Sequence, residues 1–220
     1  QIIDPNINFG FDGTVDLRHE TPTIDVTTNV LGINLKTLGL DSVDNIVRFL
    51  GNVALSGDDL DNLIGKIDLD SFTVRRSDTK YTINNLAITA EKTNQNRRYT
   101  ILSDLLIAEI DGDFIPTELP HILNHIKHIV YPSQFPKPKD TITTQDIELI
   151  VNIPSFNSIY SEFLSETYFD STSLHLAYDH TAGKLLSDAH INGFSYKAIS
   201  TPKIDISLAN SGNFTPIGFD

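Results

Sequence analysis

Apolar and small polar residues alternate along most of this chain, and a period of two predicts β-strands with one greasy face. Ile7, Phe9, Phe11, Gly13, Val15 and Leu17 share one side of a first strand, and Ile24, Val26, Thr28 and Val30 share one side of a second. Asn52 to Phe114 then reads as an unbroken run of strands, from NVALSGDDLDNLIGKIDLDSFTV through YTINNLAITAE to RYTILSDLLIAEIDGDF. Inside that run Ile67 and Leu69 give way, with a slip of parity, to Phe72 and Val74. Similar slips separate Ile83 from Leu86 and Ile88, and Ile101 from Leu106, Ala108 and Ile110. A one-residue slip turns side chains to the other face unless a bulge absorbs it. Repeated bulges bend a sheet, so strongly curved strands are expected. The alternation returns in Ile147, Leu149, Val151 and Ile153, then in Leu174, Leu176 and Tyr178. It ends with Ile191, Phe194 and Tyr196, and with Ile204, Ile206 and Leu208.

Turn signals recur at roughly 8–12 residues, the spacing of a sandwich, barrel or groove. They are Asp12-Gly13, Ser56-Gly57-Asp58-Asp59, Arg76-Ser77-Asp78-Thr79, Thr93-Asn94-Gln95-Asn96, Asp179 to Gly183, Asn192-Gly193 and Asn210 to Asn213. Two segments leave the pattern. In Thr117–Tyr131, Leu119, Ile122, Leu123, Ile126, Ile129 and Val130 follow helical spacing; Thr117 is the expected N-cap and Pro120 sits in the first turn. A shorter helix is expected over Ser155–Ser165, with Phe156, Ile159, Tyr160, Phe163 and Leu164 on one stripe. Between them PSQFPKPKD, residues 132–140, reads as a connector. The expected fold is therefore all-β with a minor helix. Residues 1–131 form a first β-section with its closing helix, and 141–220 form a second that continues the same sheet.

Composition narrows the function. The 220 residues carry 16 Lys and Arg against 29 Asp and Glu, a net charge of −13. Phosphate contacts need clustered cations, so a nucleic-acid partner is not expected. Nor is adsorption to an anionic membrane. The basic pairs, Arg75-Arg76 and Arg97-Arg98, flank turns. The absence of Cys removes disulfides, thiol catalysis and thiolate metal sites from this stretch. No apolar run approaches the ~18 residues of a membrane helix and no signal peptide is evident. The chain reads as a soluble piece of a longer protein, or a mature form.

Candidate chemistry is sparse. His121, His125 and His128 have a spacing that would suit zinc, but all fall opposite the apolar helix stripe, and the plainer reading is a solvent-facing polar side. Asp58, Asp59 and Asp61 do not match a calcium loop, and neither does Asp111-Gly112-Asp113. Ser, His and Asp residues occur without the context of a nucleophile elbow. Paired carboxylates for hydrolysis would meet in space rather than in sequence. Asn213-Phe214-Thr215 fits a glycosylation sequon. No catalytic group, cofactor or metal is expected. The alternating face then either fills its own core, as in a closed β-sandwich of a structural or adhesion module, or lines an open groove. Three features favour the groove: an apolar content of 40%, faces built from Ile, Leu and Val with no Trp, and the look of a piece from something longer.

The same residues carry a family likeness. GTVDLRHETPTIDVTTNVLGINLKTLGL, Gly13 to Leu40, resembles a strand pair of the TamB/AsmA-like proteins. GNVALSGDDLDNLIGKIDLDSFTV resembles their segment in which a G-x-[IL]-x-[IL] strand follows an acidic turn, here Gly65, Ile67 and Leu69. RYTILSDLLIAEIDGDFIPTELPHILNHIKHIVYP is similar to their strand, Ser-Asp step, G-x-F strand and helix closing on Tyr-Pro. FNSIYSEFLSETYFDSTSLHLAYDHTAGKLLSDAHINGFSYKA resembles the continuation, in a form nearest the Bacteroidota type. The resemblance implies a β-taco, a bent antiparallel sheet with an apolar lining. It implies a section of a periplasmic, inner-membrane-anchored protein that conducts phospholipids to the outer membrane and supports outer-membrane biogenesis. A BamA/TamA-like barrel partner, and any membrane contact, would engage regions outside this piece. The implied lining is Phe9, Phe11, Val15, Ile24, Val26, Ile67, Leu69, Ile83, Ile88, Ala108, Ile110 and Phe114, continued by Leu149, Val151, Leu174, Leu176, Ile191 and Ile206. Ile122, Ile126 and Ile129 of the helix would cover part of it.

Overall fold

In the computed structural model these segments pair into one antiparallel sheet of 13 strands. The structure describes residues 2–4, 6–76, 78–138, 145–156, 158–161, 164 and 166–211. The first strands are β1 (Ile2–Asp4), β2 (Ile7–Asp16), β3 (Thr23–Asn34), β4 (Asn45–Ser56), β5 (Ile64–Arg76) and β6 (Thr79–Thr93). They are followed by β7 (Asn96–Ser103), β8 (Ile107–Asp113), helix α1 (Leu119–Val130), β9 (Asp146–Ile153) and helix α2 (Ser158–Ser161). The chain ends in β10 (Thr167–Tyr168), β11 (Ser171–Asp179), β12 (Lys184–Tyr196) and β13 (Ile199–Ser211). From β1 to β8 each strand pairs with the next, as antiparallel neighbours joined by turns do. β8 pairs directly with β9, so the ladder runs on across the helix and the proline-rich segment. β10 pairs the end of β12 beyond β11. The sheet is open: β1 pairs only β2 and β13 pairs only β12. Among the described residues no closed sandwich, the rival expectation, is formed.

Three expected features differ. Asp12-Gly13 does not turn the chain; it lies inside β2, where Gly13 pairs with Val26 at φ +148. A Cβ there would lie 2.1 Å from the Asp25 carbonyl oxygen, so glycine serves a close approach of two strands and not a reversal. Asn192-Gly193 also lies within a strand, at the place where β12 changes partner from β11 to β10. The slip between Ile101 and Leu106 is a hairpin turn, because Ser103 Oγ accepts the Leu105 and Leu106 amides and starts a new strand.

The other slips bend the sheet. Register shifts fall between Asn8 and Phe9 in β2, between Val30 and Ile33 in β3, and between Arg48 and Leu50 in β4. They follow one another on successive strands, forming a crease. Ser71, at φ +53, accompanies the last of them and turns Phe72 back to the apolar face. Leu86 needs no register shift with β5, because Leu69↔Leu86 and Phe72↔Ile83 belong to one continuous ladder. Both strands change face together.

One end of the later strands is covered. Ile122 and Ile126 of α1 pack with Phe114, Ile147, Leu176, Tyr178 and Leu185, while Ile129 and Val130 lie against this core. The residue capping α1 is Glu118, whose side chain makes no capping hydrogen bond to the helix, rather than Thr117. A 3-10 turn over Pro116–Glu118 takes up Thr117, and Asp61 of the β4–β5 turn accepts its amide at 2.9 Å and its hydroxyl at 2.8 Å. Gln145 is buried beside it, accepting from the Ile115 amide at 2.9 Å and donating to Glu118. α2 is shorter than expected. Tyr160 donates to the Leu105 carbonyl at 2.7 Å, and Phe156 packs edge-on against buried Phe169. Phe163 lies outside the described residues.

Candidate functional site

The pairing registers place one continuous line of side chains across the sheet, perpendicular to the strands. From β2 to β7 it reads Gly13, Val26, Val53, Ile67, Ile88 and Ile101. From β8 to β13 it continues Ala108, Val151, Leu174, Ala189 and Ile206. No polar side chain interrupts it. At about 4.8 Å per strand the line runs roughly 50 Å. The row beside it begins Val15, Ile24, Leu55, Gly65, Ala90 and Tyr99 and is also nearly apolar. Strand side chains alternate faces, so the row between these two points the other way. There the sequence is Thr14, Asp25, Ala54, Lys66, Thr89 and Thr100, continuing to Glu109, Ile150, His175, Asp188 and Ser207.

All the strand residues expected to line a groove but Ile83 belong to the alternating set of ladder partners that makes this apolar face, and Ile83 lies beyond the change of face, opposite Phe72, whose ring stacks on Phe49. Their surroundings differ. Ile110, Leu149 and Leu176 pack against the α1 cluster, and Phe114 and Ile122 are essentially inaccessible within it. Over β2 to β6 no helix among the described residues lies on the face. Ile24, Val26, Ile67, Leu69 and Ile88 are half-buried there, as is Ile83 beyond the change of face, while Phe11 and Val15 on β2 remain 57% and 53% exposed. At the other edge Ile206 is 42% exposed. The apolar surface thus runs to both open margins. Val53, Leu55, Ala90, Tyr99, Ile101 and Ala189 also stand in the rows and were missing from the expected lining. The alternation in NVALSG was the available signal for Val53 and Leu55.

Charge is segregated by face. Within β2 to β13 every Asp and Glu lies on the polar side, among them Asp68, Asp111, Glu148 and Asp188. The charged strand residues on the apolar side are Arg76, Lys92 and Arg97, by the same registers. Arg98, by contrast, is on the polar face and bonds Asp111 at 2.7 Å. Burial of the Tyr99 hydroxyl beneath the β4–β5 turn pushes its pKa up. On the polar face Asp113, Asp146 and Asp179 stand side by side on adjacent strands. Partial desolvation and then the Asp179 charge raise the Asp146 pKa.

The other candidates resolve into structural roles. Asp58 and Asp59 bond Asn62 within their own turn at 3.0 and 2.8 Å. Among the described residues no group of three His, Asp or Glu is arranged to hold a metal. The helix histidines are not uniformly solvent-facing as expected: the His125 ring meets His180 edge-on at 5.9 Å, and His128 Nδ1 is 2.7 Å from the Phe135 carbonyl. The bend of the chain at 131–135 after α1 brings that carbonyl within reach. His190–Asp205 and His175–Glu148 are exposed cross-strand pairs on the polar face. The sequon lies outside the described residues. Among those described, no helix is long and apolar enough to cross a membrane. No protein-family model matches the chain, and neither does any curated protein or solved structure.

Proposed function

We propose that the apolar face binds acyl chains of phospholipids and lets them pass along the sheet. In this reading the chain is a section of a TamB/AsmA-like protein of the periplasm. The parent, anchored at the inner membrane, supplies the outer membrane with lipid and meets a barrel partner through other regions. The observation that carries the reading is the uninterrupted aliphatic row from Gly13 to Ile206, exposed at both margins. Each methylene taken from water contributes about 0.8 kcal/mol, and neighbouring strands repeat nearly the same surface. A chain therefore moves from strand to strand between sites of similar free energy. Backbone polar groups stay paired in the ladder and do not compete for it. No reactive group is required, and the protein is read as a carrier and not as an enzyme.

The test is lipid content after incubation with phosphatidylglycerol–phosphatidylethanolamine vesicles and re-isolation of the protein. The wild-type chain is expected to retain phospholipid. Ile67→Asp is expected to lose it while keeping its β-type circular dichroism. Equal lipid in both proteins, or none in the wild type, would overturn the proposal.

A further inference from the structure

The cations on the apolar face have a specific placement. Lys92 and Arg97 are direct cross-strand partners in β6 and β7. They stand one step beyond Ala90 and Tyr99, hence on the shoulder of the aliphatic rows. Arg97 is 8% exposed, and its buried Nη1 has no hydrogen-bond partner. Among the described residues it forms no ion pair with a carboxylate. A guanidinium does not deprotonate in proteins, and a buried charge without a counter-charge is costly. Its polar neighbour is the neutral Tyr99 side chain, and Asp61, the acid whose charge reaches Tyr99, is already engaged by Thr117. Among the described residues Lys92 bonds Asn62, at 3.4 Å, and it lies on the rim of an open cavity of about 440 Å³. Ile24, Leu55, Gly65 and Ala90 supply the apolar side of that cavity.

We propose that Lys92 and Arg97 form an anion-binding site for the phosphate or carboxylate head of an alkyl amphiphile whose chain lies over Ile24, Leu55 and Ala90. The assignment rests on the reading of the apolar face as a chain-binding surface. Charge complementarity fixes the occupant's chemistry. In a chain of net charge −13 the strand carboxylates belong to the other face, Glu91 at the margin of this cavity among them, and two adjacent cations stand where a polar head would emerge. A neutral amphiphile would leave both without a counter-charge. An anionic one supplies charge-assisted hydrogen bonds to a fork suited to two oxygens.

The experiment is calorimetric titration of the full chain with dodecyl phosphate, dodecanol and inorganic phosphate. It is repeated with Arg97→Gln and Lys92→Gln. Wild type is expected to bind dodecyl phosphate about tenfold or more tighter than dodecanol. Each substitution is expected to shrink that preference severalfold and leave dodecanol binding unchanged. Lys92 is exposed, so Lys92→Gln carries the test if Arg97→Gln does not fold. An unchanged preference in the folded variants, or no preference in wild type, overturns the anion site while leaving the apolar groove intact. Inorganic phosphate binding as tightly as dodecyl phosphate overturns the amphiphile assignment in favour of a free-anion site. Failure of both amphiphiles to bind wild type removes the groove reading, and this site with it.

Discussion

The Asp61 carboxylate accepts both the amide and the hydroxyl of Thr117, at 2.9 and 2.8 Å, and so ties the β4–β5 turn to the entry of α1. The two residues belong to parts of the sheet three strands apart. This contact therefore holds the covering helix and the bent sheet in one arrangement. An amide at a helix entry has no partner within the helix, and Asp61 supplies one from a distance. Asp61→Ala should destabilise the protein by about 1 kcal/mol, the usual cost of losing such a cap. Asp61→Asn, which keeps an acceptor, should lose less. Urea denaturation of the three proteins measures both differences.

Gly65 opens the G-x-[IL]-x-[IL] strand and pairs with Leu55 at φ +131. A Cβ at this position would stand 2.0 Å from the Ala54 carbonyl oxygen. Both the backbone angle and the neighbouring strand exclude a side chain. Gly65→Ala is expected to cost at least about 2 kcal/mol, from backbone strain together with displacement of β4. The urea midpoint would fall accordingly. Gly39→Ala, also at positive φ but with no neighbour within reach, should cost less.

Asp146 has its pKa raised above the ordinary value of 3.8, first by partial desolvation and next by the charge of Asp179. In the window above 3.8 the native state holds this proton more tightly than the unfolded chain does, so stability falls as pH rises through it. Asp146→Asn removes the repulsion and keeps an acceptor for the His180 amide. The variant is expected to melt higher than wild type at pH 7. The difference should shrink on acidification and vanish once both states of the wild type are protonated. Thermal melts across pH 3–7 follow the sign.

The fold was legible where one residue type decides one thing. Alternation located the strands and their apolar face, and spacing located α1, because burial of a face imposes a period. Phe72 revealed a bulge for the same reason. Glycine-containing turn signals misled at Gly13 and Gly193, since the same freedom that reverses a chain also lets two strands approach or a strand change partner. The helix cap was not legible: Asp61 lies 56 residues from Thr117, and a contact set by tertiary folding leaves no local pattern. Nor did Arg97-Arg98 announce its role. Beside a turn it reads as a solvated pair, whereas strand alternation sends Arg98 to Asp111 and Arg97 to the apolar face.

Site-specific photo-crosslinking tests most directly whether the apolar face is the lipid path. Ile67 and Asp68 are neighbours in β5 that point to opposite faces, Ile67 meeting Ile88 in the aliphatic row. A benzophenone amino acid placed at either position, with the protein incubated with phospholipid vesicles and irradiated, reports which face holds lipid by the mass of the adduct. The account predicts a phospholipid adduct at position 67 and none above background at 68. Equal labelling at both positions, or labelling at neither, would contradict it.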